Sequence, residues 1–323
     1  MCSRTAIFAS WIWRSVSAFK ICSCSTIRIW RLSARFEEIN NMKIAISLDS
    51  ACDASEEVKS KYDFHVVPFG VTMGDRFFYD GEVDTLEIFA YADKNKTLPK
   101  TNAVNEEQFN AHFSKLLETY DAIIHFDISS EMSSAYNNAV NAAKNFKNVY
   151  VIDSRTLSTG ISLEAIYAKK LADEGVAPEE IVEKVEKRIP FVQASFVIER
   201  LDYLYKGGRC SGLALFGANL LKIRPEIEVK NGVMGNTEKF RGRMNDVVTK
   251  YCQSVLSRYN NPDKSVIFIT HSRATEDMVA AAREVLKDYG FENVYETYAG
   301  CTVSSHCGKN TLGILYINDG AAE

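Results

Sequence analysis

This 323-residue chain has eight cysteines but no CxxC pair. Cys2, Cys22 and Cys24 lie near the start, while Cys52, Cys210, Cys252, Cys301 and Cys307 are scattered and odd in number. That pattern excludes a disulfide framework and a spaced zinc site, and it fits free thiols in a reducing cytoplasm. No acidic residue occurs before Glu37, and no tryptophan occurs after Trp30. No apolar run is long enough to span a bilayer, since the stretch from Ala6 to Trp13 ends at Arg14. The Arg- and Ser-rich opening lacks the basic start and cleavage site of a signal peptide and is closer in composition to a transit peptide. Met42, which opens directly onto Lys-Ile-Ala-Ile-Ser-Leu, reads better as the true start, so residues 1–41 are an extension outside the fold. There is no internal repeat and no low-complexity segment. A basic surplus is missing too: residues 1–41 hold six basic and two acidic residues, which leaves 32 basic against 40 acidic in the rest. An acidic body argues against nucleic acid as the main ligand, but it leaves room for a local anion-binding patch; with no spanning run, no integral membrane association is expected.

What is present describes an ordinary soluble protein, 46% hydrophobic and 25% charged, long enough for two domains. Short apolar strands alternate with amphipathic helices. Strands are expected at 43–48, 65–73, 122–128 and 149–152, with Pro68 weakening the second. Helices are expected at 55–61, 84–94 capped by Asp84, 105–120 with Asn105 and Gln108 forming a capping box, and 133–146. Residues 75–83 read as a hairpin around Asp80-Gly81. The second half predicts helices at 156–174, 178–188, 244–259 and 275–289, and strands at 193–199, 265–270, 294–298 and 312–317. Asn231-Gly232 marks a hairpin between 227–229 and 233–237. The expectation is an α/β protein with a first α/β domain at 42–158 on a mostly parallel sheet and a second at 159–323 on a mixed sheet.

Several segments have the chemistry to hold an anion. Asp49-Ser50, Ser129-Ser130 with Ser133-Ser134, and Asp153-Ser154 fall at strand carboxyl ends, where open α/β sheets bind ligands. Ser129 or Ser133 reads equally as a helix N-cap or as a ligand contact. Lys100-Thr101-Asn102 precedes a helix in the same way. In Leu201-Asp-Tyr-Leu-Tyr-Lys-Gly-Gly-Arg209, two glycines permit a sharp turn before an arginine whose planar fork suits carboxylate or phosphate, or simply cap a helix beside a surface residue. His306 is expected in a loop between two strands, as an anion donor or a surface histidine. Cys307 beside it suggests a nucleophile, but no order of Asp, His and Cys forms a triad. His65, His112, His125 and His271 lack metal-ligand spacing, so no metal is expected. Lys239, Arg241 and Arg243 form a basic knot that is either a solvated face or a dock for an acidic partner.

Together these segments resemble the DegV family of fatty-acid-binding proteins. The resemblance rests on Asp49-Ser50, Lys100-Thr101, Ile128-Ser-Ser-Glu-Met-Ser133, Val151-Ile-Asp-Ser154, Lys206-Gly-Gly-Arg209, Asn219-Leu-Leu-Lys-Ile-Arg-Pro225, Asn231-Gly232, Lys239-Phe-Arg-Gly-Arg243 and Ser305-His306, in order over residues 42–318. It implies two α/β domains with one long-chain fatty acid buried between them, no other cofactor, and no catalysis by the chain itself. It also implies a cytoplasmic acyl carrier for phospholipid metabolism, whose bound acid is phosphorylated by a separate kinase of the dihydroxyacetone-kinase type. Thr101 and Ser133, with Ser129 as second choice, are implied to bind the carboxylate, and His306 and Arg209 to help hold carboxylate or phosphate. Arg241 and Arg243 are implied to lie on the kinase-facing surface. Three motifs depart from the family pattern: Thr101-Asn-Ala-Val104, Met132-Ser-Ser-Ala135 and His306-Cys-Gly-Lys-Asn310 stand for Thr-Ser-Gln-Pro, Leu-Ser-Gly-Thr and His-Thr-Gly-Pro-Gly. The alternative is a phosphotransferase or hydrolase on the same scaffold that uses His306 and Cys307.

Overall fold

The run Ile-Ala-Ile-Ser-Leu-Asp forms strand β1 (Ile44–Asp49), which is flanked on both sides in a four-stranded parallel sheet. Its neighbours are β2 (Phe64–Val67) and β6 (Ala122–Asp127), with β7 (Val149–Asp153) beyond β6. Every residue of β6 is buried, which is why it reads as a near-continuous apolar run rather than an alternating one. The computed structural model describes residues 42–210 and 223–320. The 1–41 extension, Ser211, Gly212 and the 219–222 part of the Asn219 motif lie outside the described residues.

The single strand expected at 65–73 is two strands in two sheets. Pro68 offers no amide to a ladder, so β2 ends at Val67 and the chain leaves the parallel sheet. It resumes as β3 (Gly70–Met73) in a separate antiparallel sheet of order β4-β3-β5, with β4 (Arg76–Tyr79) and β5 (Lys100–Asn102). The hairpin turn falls at Gly74-Asp75, where Gly74 has φ of 64°, and not at Asp80-Gly81, which follows β4.

Helices α1 (Glu56–Tyr62), α2 (Thr85–Asn95), α3 (Glu106–Leu116) and α4 (Ala135–Ala143) follow strands of the first half. The Asn105/Gln108 capping box forms as expected, and Asp84 caps α2. The second half supplies a six-stranded mixed sheet of order β10-β9-β8-β13-β11-β12. Its strands are β8 (Val192–Val197), β9 (Arg224–Lys230), β10 (Val233–Phe240), β11 (Val266–Ser272), β12 (Asn293–Tyr298) and β13 (Thr311–Ile317). Only β11 and β12 pair in parallel. Asn231 and Gly232 turn the β9–β10 hairpin with φ of 51° and 84°, the double left-handed conformation of a type I′ turn.

Helix α5 (Thr159–Asp173) is buried from Thr159 to Ala165 and packs on strands of both large sheets. One core therefore runs from Leu48 and Phe126 through Leu157 and Ile161 to Phe196 and Leu315. Helix α6 (Pro178–Arg188), with Pro at its first turn, closes against the first sheet. Helices α8 (Met244–Arg258) and α9 (Glu276–Leu286) cover a second core that includes Val247, Tyr251, Ile267 and Ile314. A third small core joins Val71, Ile88 and Phe89 to Tyr203 of α7 (Leu201–Gly207) and Cys301 of α10 (Cys301–Cys307). The last of these helices replaces the loop expected around His306.

Candidate functional site

Helix α7 and the turn after it account for the two glycines of the Lys-Gly-Gly-Arg segment separately. Gly208 ends the helix in the left-handed conformation (φ 68°), its amide donating to the Leu204 carbonyl. Gly207 serves close approach, because a Cβ there would lie 2.5 Å from His306 Nδ1. The contact is reciprocated across the two helices. Gly308, just past α10 at φ 78°, leaves room that a Cβ would lose by coming within 2.9 Å of the Tyr203 ring. These approaches bring α7 against α10 and place Arg209 and His306 side by side.

The imidazole then meets β5. In register with Val71 on the same sheet, Thr101 holds its Oγ1 2.9 Å from His306 Nε2. His306 Nδ1 is buried without a partner. An orphaned lone pair is tolerated better than an orphaned N–H, so the arrangement favours the tautomer with hydrogen on Nε2. Thr101 then accepts from the ring and keeps its own O–H for a ligand. Burial, and secondarily the Arg209 charge, lowers the His306 pKa to about 4, so the ring is neutral at pH 7. Arg209 donates from Nη1 to the Gly207 carbonyl at 2.8 Å and from Nε to the Met132 carbonyl at 3.4 Å. It thus reaches across to the hydroxyl-rich turn that starts α4.

These groups wall a cavity of about 230 Å³ lined by Thr101, Ser133, Ser134, Arg209, Thr302 and His306 beside an apolar set of Phe69, Ala103, Ile128, Met132, Leu157, Met234 and Val303. A smaller, mostly apolar cavity of about 30 Å³, lined also by Phe196 and Leu315, shares Leu157, Val303 and Cys307 with it. Polar donors lie on one part of a largely apolar wall, the arrangement a small amphiphile requires. Ser133 Oγ accepts from the Ala135 amide at 3.2 Å, at the open start of α4.

Ser129 is placed differently. Its fully buried hydroxyl donates to the Gly232 carbonyl at 2.8 Å, and it does not line the cavity. A Cβ on Gly232 would sit 2.6 Å from that oxygen. Beside it, the Arg155 guanidinium bonds to the Asn231 carbonyl, Ser130 and Asp153. Ser129 therefore ties the β9–β10 hairpin tip to the first sheet, apart from the cavity wall that holds Ser133. Lys239, Arg241 and Arg243 are exposed around the end of β10, away from the cavity lining, and Arg243 Nε donates to Asp246 at 3.2 Å.

Cys307 faces both cavities, but burial pushes its thiol far up, the opposite of what a nucleophile needs. His306 and Cys307 lie on a helix and not in the loop expected between two strands. Among the described residues no group of three or more His, Cys, Asp or Glu is placed to hold a metal ion, and no helix is long and apolar enough to cross a membrane. The apolar lining residues escape a sequence reading because nothing distinguishes Leu157 or Met234 from any core residue until the fold brings them to one wall.

Known proteins share this arrangement of elements. A DegV domain-containing protein of Clostridium acetobutylicum is 31% identical over 279 residues, covering 85% of this chain and 98% of that protein. A fatty acid-binding protein of Thermotoga maritima is 29% identical, covering 84% and 96% respectively. The crystal structure of DegV from Bacillus subtilis, described as a fatty acid binding protein, is 25% identical, covers 86% of this chain and 100% of that one, and superposes with a TM-score of 0.76. Residues 43–319 match the family described as uncharacterised protein, DegV family, and the chain belongs to the DegV family.

Proposed function

We propose that the protein binds one long-chain fatty acid, with the carboxylate at Thr101, Ser133 and Arg209 and the chain among Phe69, Met132, Leu157 and Val303. The observation that carries this reading is the joining of a donor-lined pole to an apolar cavity that continues toward a second one past Leu157, Val303 and Cys307. A carboxylate entering such a cavity loses its water and needs several donors in return. Two hydroxyls and a guanidinium supply them without a fully buried ion pair, while the neutral imidazole donates to Thr101 Oγ1 and leaves that hydroxyl's hydrogen free for the ligand. The Thermotoga maritima relative and the Bacillus subtilis structure are each described as fatty acid binding, which supports the same reading.

The carrier needs no further cofactor and performs no chemistry itself. It presents the carboxylate, in the cytoplasm, to a separate kinase that forms an acyl phosphate. The exposed Lys239, Arg241 and Arg243, in an otherwise acidic body, form the docking face for that partner. Native mass spectrometry of protein purified from cells tests the first step. A mass increment matching a fatty acid, lost on solvent extraction and regained with palmitate or oleate, is expected. Protein that carries no acyl chain and takes up neither acid sinks the proposal.

A further inference from the structure

Thr302, Val303, His306 and Cys307 all reach the cavity from α10, a helix of only seven residues. So short a helix does not hold itself, since the first turn is unfavourable to nucleate, and its place is set by what grips its ends. The C-terminal end is gripped by the Gly207 and Gly308 contacts. At the N-terminal end no side chain of the helix's own N-cap, Gly300, is available. Two carboxylates from the first half take that role. Asp80 accepts from the Cys301 amide at 2.7 Å and from the Thr302 amide at 3.0 Å, one through each oxygen. Asp53 accepts from the Gly300 amide at 2.7 Å.

Both carboxylates are themselves held. Ser50 Oγ donates to Asp80 at 3.3 Å, and Ser158 Oγ donates to Asp53 at 2.5 Å. A Cβ on Gly300 would meet Asp80 Oδ1 at 3.0 Å and Asp53 Oδ1 at 3.4 Å, so glycine is what lets both reach the same helix end. Asp53 is buried, and neither aspartate lines the cavity. Three amide-to-carboxyl hydrogen bonds from two aspartates converge on this helix end.

We propose that Asp53 and Asp80 are positioning residues: they seat the His306 helix and so set the Thr101–His306–Arg209 geometry on which head-group binding depends. The binding half of this proposal rests on the fatty-acid reading above; the geometric half does not. Asp80→Ala removes two amide acceptors. It is expected to shift the His306 imidazole NMR signals in ligand-free protein and to weaken binding of a fluorescent fatty acid by about tenfold, the order of one lost charge-assisted hydrogen bond. Asp80→Asn keeps a carbonyl acceptor and is expected to fall between Asp80→Ala and the parent protein in both measurements. Should Asp80→Ala not fold, Asp80→Asn and Asp53→Asn carry the test. His306 signals that stay at their wild-type positions in the folded variants overturn the proposal. If the parent protein binds no fatty acid, the carrier reading fails instead, and the His306 signals still decide whether the two aspartates seat the helix.

Discussion

Gly207 shows how much one residue controls here. Its missing Cβ admits the imidazole, and the next residues turn the chain and deliver Arg209 to the same cavity. Gly207→Ala forces a methyl group against His306 Nδ1, an overpacking contact that costs about 1–3 kcal/mol. The expected outcome is a folded protein with a lower melting temperature and weaker fatty acid binding, read by calorimetry and by probe displacement. Thr101→Val with Ser133→Ala removes two hydroxyl donors while keeping volume nearly unchanged. If each bonds a carboxylate, loss of the pair weakens binding by roughly 100-fold or more. An unchanged affinity in a titration of the double variant removes both from the site. The residue types at this pole were legible in the sequence; which of them share a wall was not, because serine hydroxyls four residues apart can face different partners. Ser133 lines the cavity while Ser129 binds a hairpin tip.

That distinction becomes a prediction at the scale of elements. The β9–β10 hairpin carries Met234 into the cavity lining, and its tip is held by Ser129 and Arg155. Ser129→Ala removes one hydrogen bond to a buried carbonyl and is expected to lower stability by about 1–2 kcal/mol. Denaturant unfolding checks this, and fatty acid affinity is expected to change far less than in Ser133→Ala. Most elements were readable from periodicity and caps, as with the Asn105/Gln108 box and the Asn231-Gly232 turn. Two were not. Residues 65–73 carry one continuous strand signal, and only the change of sheet at Pro68 divides it. Residues 301–307 contain β-branched and small polar residues between glycines, a poor helix by propensity. They are helical because carboxylates from elsewhere satisfy the first amides.

For the whole molecule, two sets of buried groups are expected to drive stability in opposite directions between about pH 4 and 8. Burial holds His112 and His125 down to about 3 and His306 to about 4, well below an ordinary histidine. His112 and His125 share the Ser47 hydroxyl at 2.8 Å each. The unfolded chain binds those protons first, so the stability these rings provide is present above about pH 6.5 and drains away as pH falls toward 3–4. Asp53 has the opposite sign. Burial raises it to about 8, so its contribution is full below about pH 4 and is lost as pH rises toward 8. Denaturation midpoints measured from pH 4 to 9 check this: His112→Gln is expected to lessen the loss of stability below about pH 6.5, and Asp53→Asn to remove a loss that runs from about pH 4 to 8. At this same scale, charge reversal at Arg241 and Arg243 is expected to abolish acyl phosphate formation by a partner kinase and to leave fatty acid affinity unchanged. A kinase assay run beside probe binding separates the two.

By itself the sequence determined the α/β class, most of the strands and helices, and residue types with the chemistry to hold an anion, because periodicity, caps and turn residues act over a few positions of chain. The tertiary structure alone decided which hydroxyl faces the cavity, that His306 rides a helix and is neutral, and that two distant aspartates hold that helix. Those outcomes depend on burial and on contacts between residues as far apart as Asp53 and Gly300, where desolvation and close packing, rather than local preference, set the result.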